Sequence, residues 1–280
     1  MSIVDSAAAP APVTTPTVPR GRPENLFDVG PVLIEEGRAR ASMPTGPWLR
    51  GPDGYPSAAG LGVLLDDVLG QAVLVRRLPG LWSVTTELNI DVARPLPVDG
   101  QLVEALASPA LIDEAGGLAR AELRDEAGHC LALATTWARF VPGVPAEVFD
   151  PPELPGIADR GQCLADLLHV RIGETGDLRL PARVELGNPQ GVAHGGVLLS
   201  LAVMSAEQIF LGAGLDVASV RVVYVRPAAG ELSFEPVVAH RGRSLGVVRV
   251  DVKNAAGALC TTATVTLRSP VGAGAGPAQG

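Results

Sequence analysis

Long apolar runs are missing from this 280-residue chain, although 47% of its residues are hydrophobic. None approaches the roughly 18 residues that a membrane-spanning helix needs, so no membrane partner is expected. Cysteine is scarce. Cys130, Cys163 and Cys260 show no CxxC or Cys/His spacing, which excludes a zinc site or disulfide framework and leaves small core residues in a reducing compartment. Positive charge is also in deficit: the formal net charge is −8, against the basic face that nucleic-acid binding needs. No metal-ligand set, Walker sequence or dinucleotide fingerprint appears, and the short "GLG" at 60–62 does not make one; neither metal nor cofactor is expected. The first residues, rich in Ala, Pro and Thr, lack the charged start and apolar middle of a signal peptide, so a cytoplasmic protein is the default.

What is present divides the chain in two. Residues 1–25 read as a disordered arm and 270–280 as a disordered tail. A Pro-rich stretch within 143–160 reads as a linker between a domain at 26–142 and another at 161–269. Three landmarks recur in the same order on both sides. "AAGLGVLLDDVLGQA" (58–72) parallels "HGGVLLSLAVMSAEQ" (194–208): small residues, then an apolar helix. "LNIDVARPLPVDGQL" (88–102) parallels "VRVVYVRPAAGEL" (220–232), each an alternating strand ending at Arg-Pro before a Gly turn. Two hairpins follow, turning at Ala127-Gly128 and Ala256-Gly257. Period-two alternation in "SVRVVYV" and "VVRVDVKN" marks strands with one buried face. The helices at 62–75 and 196–211 are apolar almost all round, so they are buried on most sides. An α+β fold follows, each half an antiparallel sheet wrapped around one helix.

Asn188, then "VAHGG" opening a helix, an Arg-Pro-ending strand, a Gly turn and an Ala-Gly hairpin together resemble the hotdog-fold thioesterases of the phenylacetate-pathway (PaaI-like) type. The resemblance spans nearly all of 27–269, twice over. It implies two tandem hotdog domains paired as an intramolecular pseudo-dimer, an acyl-CoA substrate, and further pairing of chains into a homodimer. It also implies active sites between the halves, with one helix supplying a glycine at its start and the other a carboxylate.

In that family the acid lies nine residues after the histidine of HGG. Counting from His194 gives Val203, which carries no charge; counting from Ala58 gives Asp67, with Asp66 as the competing acid beside it. The first half therefore retains an acid, and the second retains Asn188, His194 and Gly195, so that one complete site is expected between them. At such a site a helix-start amide at Gly195 receives the developing oxyanion, with Gly196 beside it. Asp67 acts on water as general base or attacks directly. Asn188 orients water or the leaving group, His194 orients the loop or caps the helix, and Thr85 corresponds to a hydroxyl that some relatives use to hold the water. Arg241 and Arg243, in the turn "HRGRS", are candidates to clamp the phosphates of coenzyme A. "MPTGPWLRGPDGYPS", with Trp48 and Tyr55, is a candidate wall. Two alternatives stay open: an enoyl-CoA hydratase or dehydratase of the same fold, disfavoured because Leu186 stands where its leading Asp belongs, and a non-catalytic acyl-CoA binder.

Overall fold

A computed structural model describes residues 22–145 and 163–270. The expected arm up to residue 21, the linker from 146 to 162 and the tail from 271 lie outside the described residues. Where the arm meets the domain the expectation is corrected: Arg22–Leu26 form a helix, α1. Pro23 favours a first helical turn, and the following Phe27 is fully buried, stacking edge-on against Trp48 at 5.8 Å.

The first half continues with β1 (Leu33–Glu35), β2 (Arg38–Pro44), α2 (Gly62–Leu74) and four long strands, β3 (Leu81–Val92), β4 (Leu102–Ile112), β5 (Gly116–Asp125) and β6 (Cys130–Pro142). The second half runs α3 (Leu164–Leu168), β7 (Leu178–Leu180), α4 (Gly195–Ile209), β8 (Asp216–Tyr224), β9 (Leu232–Arg241), β10 (Leu245–Asn254) and β11 (Leu259–Arg268). All eleven strands form one antiparallel sheet in the order β1-β2-β4-β5-β6-β3-β8-β11-β10-β9-β7. Read outward from the middle, each half repeats one order, so the two halves meet through β3 and β8. Backbone bonds repeat as well. The amides of Ala93 and Arg94 both donate to the Leu131 carbonyl, and those of Val225 and Arg226 both donate to Cys260. Gly128 and Gly257 close the two predicted hairpins with φ of 81° and 74°, values that glycine adopts without a Cβ clash.

Alternation fixes which face is buried. In β10, Gly246, Val248, Val250 and Val252 point inward while their neighbours meet solvent, as the period of a strand demands. The inward face packs on α2 and α4. Of the 13 residues of α2, 10 are buried, and 11 of the 15 in α4, so both helices sit inside rather than on the fold. They cross at their N-termini with glycine on each side. A Cβ on Gly196 would lie 2.5 Å from the Gly62 carbonyl oxygen, and Ser200 Oγ donates to the Ala59 carbonyl at 2.6 Å.

The β3–β8 seam is short. Glu87–Asp91 pair with Val223–Ser219, and Arg221 staples the seam by donating to Asp91 Oδ1 at 2.6 Å and to the Ile90 carbonyl at 2.9 Å. Beyond Glu87 and Val223 the two strands part. A bulge helps: β3 registers Thr85 with Ala138 and Glu87 with Trp137. Thr86 is therefore the extra residue, and such a bulge re-aims its neighbours. The fork holds a cavity.

Candidate active site

A cavity of about 740 Å³ lies between Trp82–Thr86 of β3, Tyr224–Ala228, one flank of α2 and the N-terminus of α4. Its head is the crossing of the helices. There Asp66, buried in the first turns of α2, reaches the second half: its Oδ2 accepts the Gly196 amide at 2.7 Å. Its other oxygen accepts Thr85 Oγ1 at 3.1 Å. The bulged strand and the helix start therefore hold both carboxylate oxygens.

The acid at the α4 N-terminus is thus Asp66, where counting had pointed to Asp67. The cause is visible in the caps. His194 is the N-cap of α4, and the residue that caps the turn at Ala58–Leu61 is Ser57, whose Oγ accepts the Ala59 amide. Nine residues after Ser57 is Asp66; counting from Ala58 overshoots by one. Asp67 lies about 100° round the helix, still lining the cavity, and accepts from Gln71 Nε2 at 3.4 Å. Burial, reinforced by the negative charge of Glu24, pushes its carboxyl up to about 8, so the neutral form of Asp67 predominates at pH 7.

The two glycines that open α4 serve different ends. Gly196 permits the helix crossing. At Gly195 a Cβ would sit 2.7 Å from Asp66 Oδ2 and 3.2 Å from the Tyr224 phenol oxygen; glycine is required because the carboxylate of the other half occupies that space. Tyr224 Oη donates to the Gly195 carbonyl at 2.8 Å, while the amide of the same peptide group, that of Gly196, goes to Asp66. This peptide is gripped at both ends. The Gly195 amide itself has no acceptor among the described residues, lines the cavity, and is one of the outward-facing donors of a helix start.

His194 is buried beside them. Its Nε2 is 3.1 Å from Glu24 Oε1 and its Nδ1 is 3.4 Å from Asp66 Oδ2. Burial alone would lower the imidazole pKa; the adjacent Glu24 foremost, and Asp66 next, outweigh it and raise it to about 9. The protonated ring, the form this pKa favours at neutral pH, has no lone pair. The neutral ring caps α4 with its side chain, Nδ1 accepting the Gly196 amide at 3.1 Å; with the ring protonated that amide goes to Asp66 alone.

Asn188 lines the cavity, but its Oδ1 is committed to its own turn, accepting the amides of Gln190 and Val192 at 3.0 and 3.3 Å. The side-chain amide NH₂ is what remains to meet a ligand. The expected phosphate clamp is corrected. Arg241 donates to the Ile209 carbonyl at 3.2 Å and lies 4.5 Å over the Phe210 ring, capping the C-terminal end of α4. Neither it nor the exposed Arg243 lines the cavity, which is some 20 Å away at the other end of a 15-residue helix. The arginines that line the cavity are Arg22, Arg139 and Arg226. Trp48 is in the core and Tyr55 is 71% exposed; neither walls the cavity. Sequence reasoning missed Glu24 and Tyr224 as well. For Glu24 the available signal was Arg-Pro-Glu leading into an apolar Leu-Phe, a helix start hidden at the edge of a proline-rich arm.

Among the described residues no cluster of His, Cys, Asp and Glu is arranged to hold a metal ion, and no helix is long and apolar enough to cross a membrane.

Residues 185–268, from the turn before α4 to the end of β11, match the family model of the acyl-CoA thioesterase N-terminal domain. No curated protein matches the sequence. Solved structures share the fold over most of the chain. The 12:0-ACP thioesterase of Umbellularia californica is 13% identical with a TM-score of 0.59, covering 84% of this chain and 95% of its own. An acyl-ACP thioesterase of Bacteroides thetaiotaomicron is 13% identical with a TM-score of 0.56, over 83% and 98%. A hot-dog-fold protein of unknown function from Alicyclobacillus acidocaldarius is 11% identical with a TM-score of 0.58, over 88% and 97%. At such identities the likeness establishes the hotdog fold.

Proposed function

We propose that this chain is a thioester hydrolase acting on acyl-coenzyme A at a single site between its halves. The family match of residues 185–268 and the thioesterases among its structural neighbours support thioester hydrolysis. The observation that carries the site is the Asp66 carboxylate of one half bonded at the helix start of the other, beside an unclaimed Gly195 amide at the head of a cavity.

The thioester carbonyl oxygen binds at the Gly195 amide, where the helix dipole meets the charge that develops on it. Asp66 accepts a proton from the attacking water. General base fits better than nucleophile: both Asp66 oxygens already accept hydrogen bonds, and an anhydride would turn one of these acceptors into a weak, uncharged one. Thr85 sets the carboxylate's angle, and the Asn188 amide meets the substrate near the sulfur. Arg22, Arg139 and Arg226 supply positive charge along the cavity for the phosphates of the thiol carrier. The acyl group runs along α2 past Gly70, where a Cβ would meet open space, towards Leu74 and Trp82.

The reading includes a tandem arrangement of PaaI-like hotdogs, the halves pairing as subunits of a dimer would, and further assembly of whole chains into a homodimer in the cytoplasm. Shared strand order in the two halves supports the pairing. The test is release of free thiol from a panel of acyl-CoA esters, run beside hydration of an enoyl-CoA. Thiol release that disappears in Asp66→Asn supports the proposal; hydration without thiol release, or binding without turnover across the panel, contradicts it.

A further inference from the structure

We infer that Glu24, carried on the short helix before the first strand, is a positioning residue that holds the His194 imidazole as a cation between two carboxylates and so orients Asp66 for attack. The inference rests on the reading of Asp66 as the base.

Three observations carry it. First, the imidazole spans Glu24 and Asp66, at 3.1 Å on Nε2 and 3.4 Å on Nδ1, and each of the three side chains is less than a tenth exposed. Water therefore neither screens these contacts nor competes for them. Second, the partners come from different parts of the chain: Glu24 and Asp66 from the first half, His194 from the start of α4. Packing holds α1 in place, because Phe27, which follows it, is buried against Trp48. Third, charged and polar groups face the ring from several elements. α1 presents Glu24 and, at the cavity edge, Arg22. α2 presents Asp66 and the neutral Asp67. From the β8 side come the Tyr224 phenol, which burial and Asp66 keep protonated, and Arg226 on the cavity wall.

A neutral imidazole in this position has one N–H for two acceptors, and the carboxylate that loses it turns away. A cationic ring donates to both at once. Glu24 is what makes the cation tolerable: a buried imidazolium needs a second counter-charge once Asp66 is engaged with Gly196 and Thr85. The cation then lies on the α4 N-terminus, next to the Gly195 amide that receives the oxyanion, and adds to its field. No bond is made or broken at Glu24, and its proton does not move during turnover.

The experiment is to follow the imidazole resonances by NMR against pH in the full chain, where only four histidines have to be assigned and His194→Gln identifies the signal. In the wild type His194 is expected to titrate near 9. In Glu24→Gln, which keeps size and an acceptor oxygen, the midpoint should fall by at least about one pH unit on loss of the counter-charge. The alkaline limb of the kcat profile should move down with it, kcat at pH 8.5 should fall at least about tenfold, and KM should stay within about threefold. Glu24→Asp, a shortened carboxylate, should recover part of both shifts. A wild-type His194 that titrates near the free-imidazole range overturns the proposal, as does a Glu24→Gln midpoint that stays where it was. The wild-type titration needs no variant to fold. Because the NMR readout is independent of turnover, failure of the hydrolase reading, tested by Asp66→Asn, is told apart from failure of this one.

Discussion

At the scale of single residues, the site depends on the absence of a side chain as much as on charge. Gly195 leaves room for a carboxylate that belongs to the other half of the chain, and Tyr224 holds the carbonyl of the peptide whose amide that carboxylate takes. Gly195→Ala places a methyl group 2.7 Å from Asp66 Oδ2. It is expected to push Asp66 off the Gly196 amide and lower kcat about 10²-fold, the scale of an ångström-level misplacement of a catalytic group. Steady-state kinetics with folding checked by circular dichroism measures this; full activity in Gly195→Ala would show that Asp66 and Gly195 do not work as neighbours. The residue scale is also where sequence reading falls short by the smallest margin. Its count of nine residues reaches Asp66 once it starts at Ser57, which caps the turn before α2, a position that only hydrogen bonds reveal.

At the scale of elements, the two buried helices and the strands around them were legible because each obeys one period: two along "VVRVDVKN", and apolar in all directions along "GVLLSLAVMSA". The hairpins were legible because Ala-Gly supplies the left-handed turn residue. Three things were not. The bulge at Thr86 has no composition of its own, since it arises from a mismatch between β3 and β6. α1 is five residues long, too short to show a period, and is kept in place by burial of Phe27. The "HRGRS" turn carries the charge that a phosphate site would need, but the direction of β9 delivers it to the wrong end of α4. Helix crossing gives the element-scale prediction. Gly196→Ala puts a methyl group into the backbone of α2, and overpacking of this kind costs about 1–3 kcal/mol. The melting temperature should fall by several degrees, about 2–4 °C for each kcal/mol in a chain of this size. A variant that melts with the wild type would mean the helices have slack at the crossing.

At the scale of the whole molecule, the two halves of the chain contribute different groups to the proposed site. The first half contributes Glu24, Asp66 and Thr85, and the second His194, Gly195 and Tyr224. At the C-terminal end of α4 a further acid is tied to the turn before α2. Glu207 accepts Ser57 Oγ at 2.6 Å and the Ala58 amide at 3.2 Å, and burial pushes its carboxyl up to about 7. Three groups, the buried His194 and the half-buried Asp67 and Glu207, thus have folded pKa values above their unfolded ones. In each case the folded state binds protons that the unfolded state has released, so stability falls as pH rises through their windows. For Glu207 the window runs from about 4.5 to about 7, for Asp67 from about 4 to about 8, and for His194 from about 6.5 to about 9. The melting temperature at pH 9 should lie below that at pH 6 in the same salt, and a higher value at pH 9 would contradict these assignments.

The most direct measurement is kcat and KM for Asp66→Asn beside Asp67→Asn, on one acyl-CoA substrate at pH 7. Asp66→Asn should lose about 10²–10⁴ in kcat, the worth of a general base, with KM little changed. Asp67→Asn, which replaces an acid that is mostly neutral at that pH, should stay within about tenfold of the wild type. The reverse ranking, with Asp67→Asn inactive and Asp66→Asn turning over, would contradict a site in which Asp66 of one half serves the helix start of the other.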